Sequence, residues 1–301
     1  MAQTPEDLAE QPPEPPGAPA RITREARAIL GWMTEEMAVR FLNGMRADMK
    51  PTDEQRQRAA SARAVVAARD PVATQDDADI AEPAPREVLA AFGAQRLTAL
   101  VAEGFEVRMV DLERVRAFQT HVLAEQAVER VADVEEDDLV GLTHLTLPEA
   151  QPMNAPVQYD ESQKAWTVLY PDLNMRILGN IQVQVPDQTG KNHPVLGFAF
   201  GTMPSLVKVS EYQGRYVLTD GYHRSFGLLS RGISRVPSLF RRVENFEDMG
   251  IPQGVLPQAQ WLGTRPPRLD DYLVDEVAAM IEIPAAQRLI LIQALESTLN
   301  G

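Results

Sequence analysis

The sequence predicts an α+β fold, with helical segments at both ends of the chain. Residues 205–243 read strand, strand, helix, strand, and apolar residues recur at spacings of three and four before residue 105 and again near the C-terminus. With 301 residues and 44% hydrophobic content, the chain is long and apolar enough to bury a sizeable core.

Taken in order, residues 1–22 hold six prolines and almost no large apolar groups, the composition of a disordered tail. Residues 23–69 are predicted as an N-terminal helical segment. Ile29, Leu30, Met33, Met37, Phe41 and Leu42 fall on one helical stripe, and Thr34 and Asp53 are candidate caps. "PTDEQRQRAASARAVVAARD" adds a long Ala/Arg-rich helix after Pro51. Residues 70–86 carry three prolines without periodicity and are expected to be a linker. "REVLAAFGAQRLTALVAEG" then predicts a helix ended by Gly104, and "FEVRMVDLERV" a strand and turn. "DVEEDDLVGLTHLTLPE" has the acidic start that a helix macrodipole favours. Between 150 and 200, "KAWTVLYP" and "NIQVQVP" read as strands.

The block at 205–243 is the clearest. "LVKVSEY" and "RYVLT" form a hairpin across Gln213-Gly214, and a helix follows with Tyr222, Phe226, Leu229 and Ile233 on one stripe. Gly232 is placed to end that helix in a left-handed conformation, and "VPSLFRRV" reads as a strand. Residues 251–301 are expected to form a C-terminal helical segment, with one or two helices in "DDYLVDEVAAMIEIPAAQRLILIQALESTL".

Composition sets limits. Without cysteine there is no disulfide, thiolate zinc site or cysteine nucleophile. The first twenty residues lack the basic and apolar regions of a secretory signal, and no run approaches the ~18 apolar residues of a membrane span, so a soluble cytoplasmic protein is expected. A net charge of −14 disfavours nucleic acid and anionic membrane. Residues 205–243 break that pattern, with seven basic residues against two acidic ones. A local excess of that size fits an anionic ligand.

The sharpest stretch is "TDGYHRS". Asp220-Gly221 ends a strand, and His223 and Arg224 occupy the first helical turn, where cations are mildly unfavourable. Asp220 is expected to cap the helix, and Gly221 to allow close approach of backbone or ligand. The amides from Tyr222 to Ser225, with His223 and Arg224, would then form a socket for a multiply charged anion. The plain alternative makes Arg224 a partner of Asp220 or another local acid and His223 a surface group.

"YVLTDGYHRSFGLLSRGISRVPSLF" resembles the ParB/sulfiredoxin superfamily through Asp220, Gly221, His223, Arg224, Gly232 and Val236-Pro237. "VRMVDLERVRAFQTHV" resembles the family's opening strand and turn. The resemblance spans residues 105–243 with an insertion at about 149–200, within a unit placed at 87–250. It implies a mixed sheet with helices, and a phosphate site at Asp220, Gly221, Tyr222, His223, Arg224 and Ser225. It also implies a nucleotide, CTP or ATP, with magnesium. Tyr222 stands where sulfiredoxins carry their reactive cysteine, which excludes sulfiredoxin chemistry. Residues 251–301 are too short and too acidic to supply the DNA-binding domain of partition proteins.

The functional expectation is a protein that binds a nucleotide or phosphorylated small molecule, with NTP hydrolysis or phosphotransfer as its reaction. Asp111, Glu113, His121 and His223 are the candidate catalytic groups. A non-catalytic interaction module of the same fold is the alternative, binding a second copy or a protein partner through the N-terminal helices. DNA handling is the weaker one. The four histidines lack metal-ligand spacing, and no metal site is expected.

Overall fold

The computed structural model describes residues 22–46, 49–72, 80–149, 156–170, 175–202, 204–251, 255–286 and 288–293. The expected proline-rich tail lies outside them. In chain order the elements are β1 Thr23–Ala28, α1 Glu35–Leu42, α2 Asp53–Ala68, β2 Ala81–Pro83, α3 Arg86–Phe92, α4 Ala94–Ala102, β3 Glu106–Asp111, β4 His121–Leu123, α5 Ala124–Arg130, α6 Leu139–Thr146, β5 Val157–Asp160, β6 Ala165–Tyr170, β7 Met175–Pro186, β8 Asn192–Thr202, β9 Lys208–Tyr212, β10 Arg215–Asp220, α7 Tyr222–Ser230, β11 Arg235–Val243, α8 Gln258–Trp261, β12 Ala279–Pro284 and β13 Arg288–Gln293. This is an α+β architecture. No helix among the described residues is long and apolar enough to cross a membrane.

The central sheet has the order β10-β9-β11-β3-β2. β9 and β10 form the expected antiparallel hairpin, turning at Gln213 and Gly214, both with positive φ. α7 then crosses to β11, which runs parallel to β9 and antiparallel to β3. β2 lies inside the segment expected to be a linker, because Ala81–Pro83 fills the open edge of β3. Pro83 is tolerated there because an edge strand needs only one side of its backbone paired.

A second sheet, β12-β1-β4, corrects the sequence reading at both ends of the chain. Thr23–Ala28 is expected to begin a helix but forms β1, and Ala279–Pro284 is expected to be helical but forms β12. Burial in both follows a period of two, with Ala26 and Ala28 inward from β1 and Ile281 and Ile283 inward from β12. Pairing across more than 250 residues decides these segments, and local propensity has no access to that partner. Arg288–Gln293 is likewise a strand, paired with β6.

Two N-terminal helices form, but Ile29, Leu30 and Met33, expected on the stripe of the first, lie before it, Leu30 in a 3-10 turn and Met33 in extended backbone. Thr34 caps α1 by accepting the Met37 N–H. Thr52, rather than Asp53, caps α2 in a reciprocal capping box with Gln55. The helix expected over 86–104 breaks into α3 and α4 at Gly93, whose φ is +93°. The acidic run 133–137 precedes α6, which is capped by Asp138.

One apolar core joins both ends of the chain to the central unit, gathering Trp32, Ala62, Val110, Val217, Phe226 and Trp261. Residues 156–202 and 288–293 stand apart from it. Their strands make a three-stranded sheet, β13-β6-β5, and a two-stranded ribbon, β7-β8, around a small cluster of Val168, Met175 and Ile290.

Candidate functional site

The start of α7 is built by a crossing of backbones. Gly221 adopts φ +91°, and a Cβ there would stand 2.7 Å from the Cα of Val207 and 2.9 Å from the Leu206 carbonyl. Only glycine meets both demands, so residues 205–207 pass directly beneath the helix start.

The role expected of Asp220 is corrected here. Gly221 is the N-cap, and no side chain caps α7. The Asp220 carboxylate instead accepts the Ser205 hydroxyl at 2.7 Å, the Leu206 N–H at 3.2 Å and the Gly221 N–H at 2.7 Å. It fastens the crossing loop. The N–H groups of Tyr222 and His223 consequently have no acceptor among the described residues.

His223 is not the surface group of the plain alternative. Burial lowers its pKa from 6.5 to about 4, assisted by the neighbouring charges of Arg130, His121 and Arg224. The imidazole is therefore neutral at neutral pH, with the positive charges of Arg130 and Arg224 acting on it. His121 arrives from β4. Its ring lies 5.3 Å from that of Phe41, its Nδ1 is 3.1 Å from the Thr120 hydroxyl, and burial lowers its pKa. Arg224 donates to the Ser205 carbonyl, which ties its guanidinium to the loop under the helix and not to Asp220.

Arg130 is the member that sequence reasoning missed. It lies in the last turn of α5, and α5 reaches α7 because Gly227 leaves room. A Cβ at Gly227 would come within 2.3 Å of the Ala127 carbonyl. The only available signal is a glycine on the buried stripe of α7, which does not say which helix approaches.

The remaining expected residues are placed as follows. Tyr222 is a core strut. Its hydroxyl donates to the Leu218 carbonyl and accepts the Phe118 N–H, and burial raises its pKa. Ser225 is fully buried, and its hydroxyl has no partner among the described residues. Asp111 accepts the Glu113 N–H in the turn after β3. Glu113 acts electrostatically on Asp270. Neither carboxylate is among the groups that perturb His223.

The basic excess of residues 205–243 does not converge on this site. Arg235 pairs with Glu82 at 2.6 Å and Arg242 with Glu211 at 2.5 Å. Arg231 donates to the carbonyls of Val131 and Val134, and Arg241 to that of Asp248. Of these seven cations, Arg224 is the one that acts on His223, and Arg130 joins it from outside the segment.

A separate pocket of about 310 Å³ is lined by residues that include Arg69, Arg265, Arg268, Asp270 and Asp271. Arg69 pairs with Asp271 at 2.7 Å. Burial, then the charge of Asp271, pushes the Asp270 carboxyl up to about 6.

Comparison with protein-family models, with curated proteins and with solved structures finds no match to this chain.

Proposed function

We propose that this chain is a ParB/sulfiredoxin-like protein that binds a nucleotide or another phosphorylated small molecule at the start of α7. The observation that carries this reading is His223, held neutral among Arg130, Arg224 and His121 beside amide donors that no side chain caps. In a chain of net charge −14 this is a local concentration of positive potential. A phosphate group would accept the free amides, meet the helix dipole and draw a proton onto His223. The order strand, Gly221, helix, Gly232, strand supports the family assignment, as does the parallel pairing of β9 with β11 around α7.

The residues suit an anion. Magnesium would arrive bound to the phosphates, because the groups facing His223 are cations and imidazole, and no cluster of three metal-ligating side chains occurs among the described residues. Hydrolysis or phosphotransfer would use His223, whose neutral ring can accept a proton at one nitrogen and donate from the other.

Calorimetric titration with CTP, ATP and GTP plus magnesium tests the reading, with Arg224→Ala and the exposed Arg130→Ala alongside. Binding of one nucleotide by the wild type, weakened about tenfold or more in each variant, is expected for lost charge-assisted contacts. A folded wild type that binds none of the three would sink it, as would variants that bind as well as the wild type.

A further inference from the structure

Among the described residues, fourteen of the twenty-two exposed large apolar side chains lie in β5–β8 and β13, so exposed apolar surface is concentrated in this lobe. Its most open element is the ribbon. β7 and β8 pair with each other along eleven residue pairs and with no other strand. A two-stranded ribbon is marginal in water without further strands. Register puts Ile181, Val183, Val185 and Val195 on one face, above the small Gly197. All four of these aliphatic residues are exposed. The opposite face carries Asn180, Gln182 and Gln184 beside Leu196 and Phe198.

The two outer edges differ. The free edge of β8 contains Pro194, which cannot donate to a neighbouring strand. The free edge of β7 from Ile177 to Val185 contains no proline and no charge. Edge strands are ordinarily protected by lysine, proline, shortness or a cover, and this nine-residue stretch has none of these among the described residues.

We propose that the edge of β7 pairs antiparallel with β7 of a second copy across a twofold axis at Gln182, extending two ribbons into one four-stranded sheet. Like net charge opposes self-association, so two copies must meet where charge is absent. Two chains of net charge −14 repel over most of their surfaces, and this strand offers each a contact free of charge. The strand is also self-complementary. Beyond the irregularity between Ile177 and Gly179 the regular stretch runs from Gly179 to Val185, centred on Gln182. The twofold sets Ile181 against the partner's Val183 and Asn180 against the partner's Gln184. Apolar meets apolar on one face and amide meets amide on the other. The inference does not depend on the phosphate site.

The absence of native cysteine gives a clean test. Residues directly opposed across an antiparallel pair lie ~4.5–5.5 Å apart at Cα, within disulfide reach. Gln182→Cys is expected to form a covalent dimer on mild oxidation. Gln184→Cys is expected to resist it, since it lies two residues off the axis and its two copies are then four residues, roughly 13 Å, apart along the strands. Sedimentation over a dilution series should show the wild type dimerising, strengthened by salt. Val183→Lys should weaken that about 100-fold, because the twofold applies each substitution twice. A wild type that stays monomeric throughout overturns the proposal and leaves the ribbon for a different partner. So does equal cross-linking at both cysteine positions, or a Val183→Lys variant that dimerises like the wild type.

Discussion

Replacing His223 by glutamine should make the protein more resistant to acid. The folded His223 titrates at about 4, against 6.5 for an unperturbed imidazole. Between those values the unfolded chain binds a proton that the folded chain does not. Stability is therefore complete above pH 6.5 and is lost as pH falls toward 4. At 1.36 kcal/mol per pH unit the interval corresponds to roughly 3 kcal/mol, and the ring's partial exposure brings the expectation to about 2 kcal/mol. Glutamine keeps a polar group of similar reach without the titration. The assay is urea unfolding at neutral pH and at about pH 4.5, followed through the buried Trp32 and Trp261. The wild type should lose about 2 kcal/mol more than His223→Gln between the two conditions. Inorganic phosphate should reduce the wild-type loss, because an anion at the start of α7 favours the protonated ring, and should do so less in Arg130→Ala. Equal losses in wild type and variant, or an imidazole resonance of His223 titrating near its ordinary value, would refute the reasoning.

Two further substitutions probe the frame around the site. Asp270 holds a proton in the folded state up to about pH 6, so its ionised form weakens the fold at neutral pH. Asp270→Asn should raise stability at pH 7 by about 1–2 kcal/mol, with the gain fading as pH falls from about 6 and gone by about pH 3.5. Thermal unfolding at both pH values measures it, and an unchanged or lowered Tm at pH 7 counts against it. Gly227→Ala places a methyl group 2.3 Å from the Ala127 carbonyl, forcing α5 and α7 apart. A loss of about 2–4 kcal/mol is expected in circular-dichroism melts, together with weaker anion binding as Arg130 withdraws. A variant with unaltered Tm would show that the contact is looser than described.

What was legible in the sequence was local. The hairpin over 208–220, the helix stripe of Tyr222, Phe226 and Leu229, and the strand at 235–243 follow from periodicity and turn chemistry within about 35 residues. So does the singling out of Gly221, His223 and Arg224, because cations in a first helical turn are a local anomaly. The misread segments are those whose partners are remote. β1 and β12 have helix-compatible compositions and become strands because each supplies the other's hydrogen bonds across the whole chain.

The same division holds at the site. By itself the sequence determined which residue types stand at the start of α7, that cysteine chemistry is impossible and that the chain is strongly acidic. Tertiary structure decided what those residues do. It turned Asp220 toward the 205–206 loop, tied up most of the basic segment in ion pairs and carbonyl contacts, and buried Tyr222 in the core. It also carried Arg130 and His121 up to His223. Charge along a chain can be counted from its letters, but the field at one imidazole depends on distance and burial, and those are set only when remote helices and strands pack.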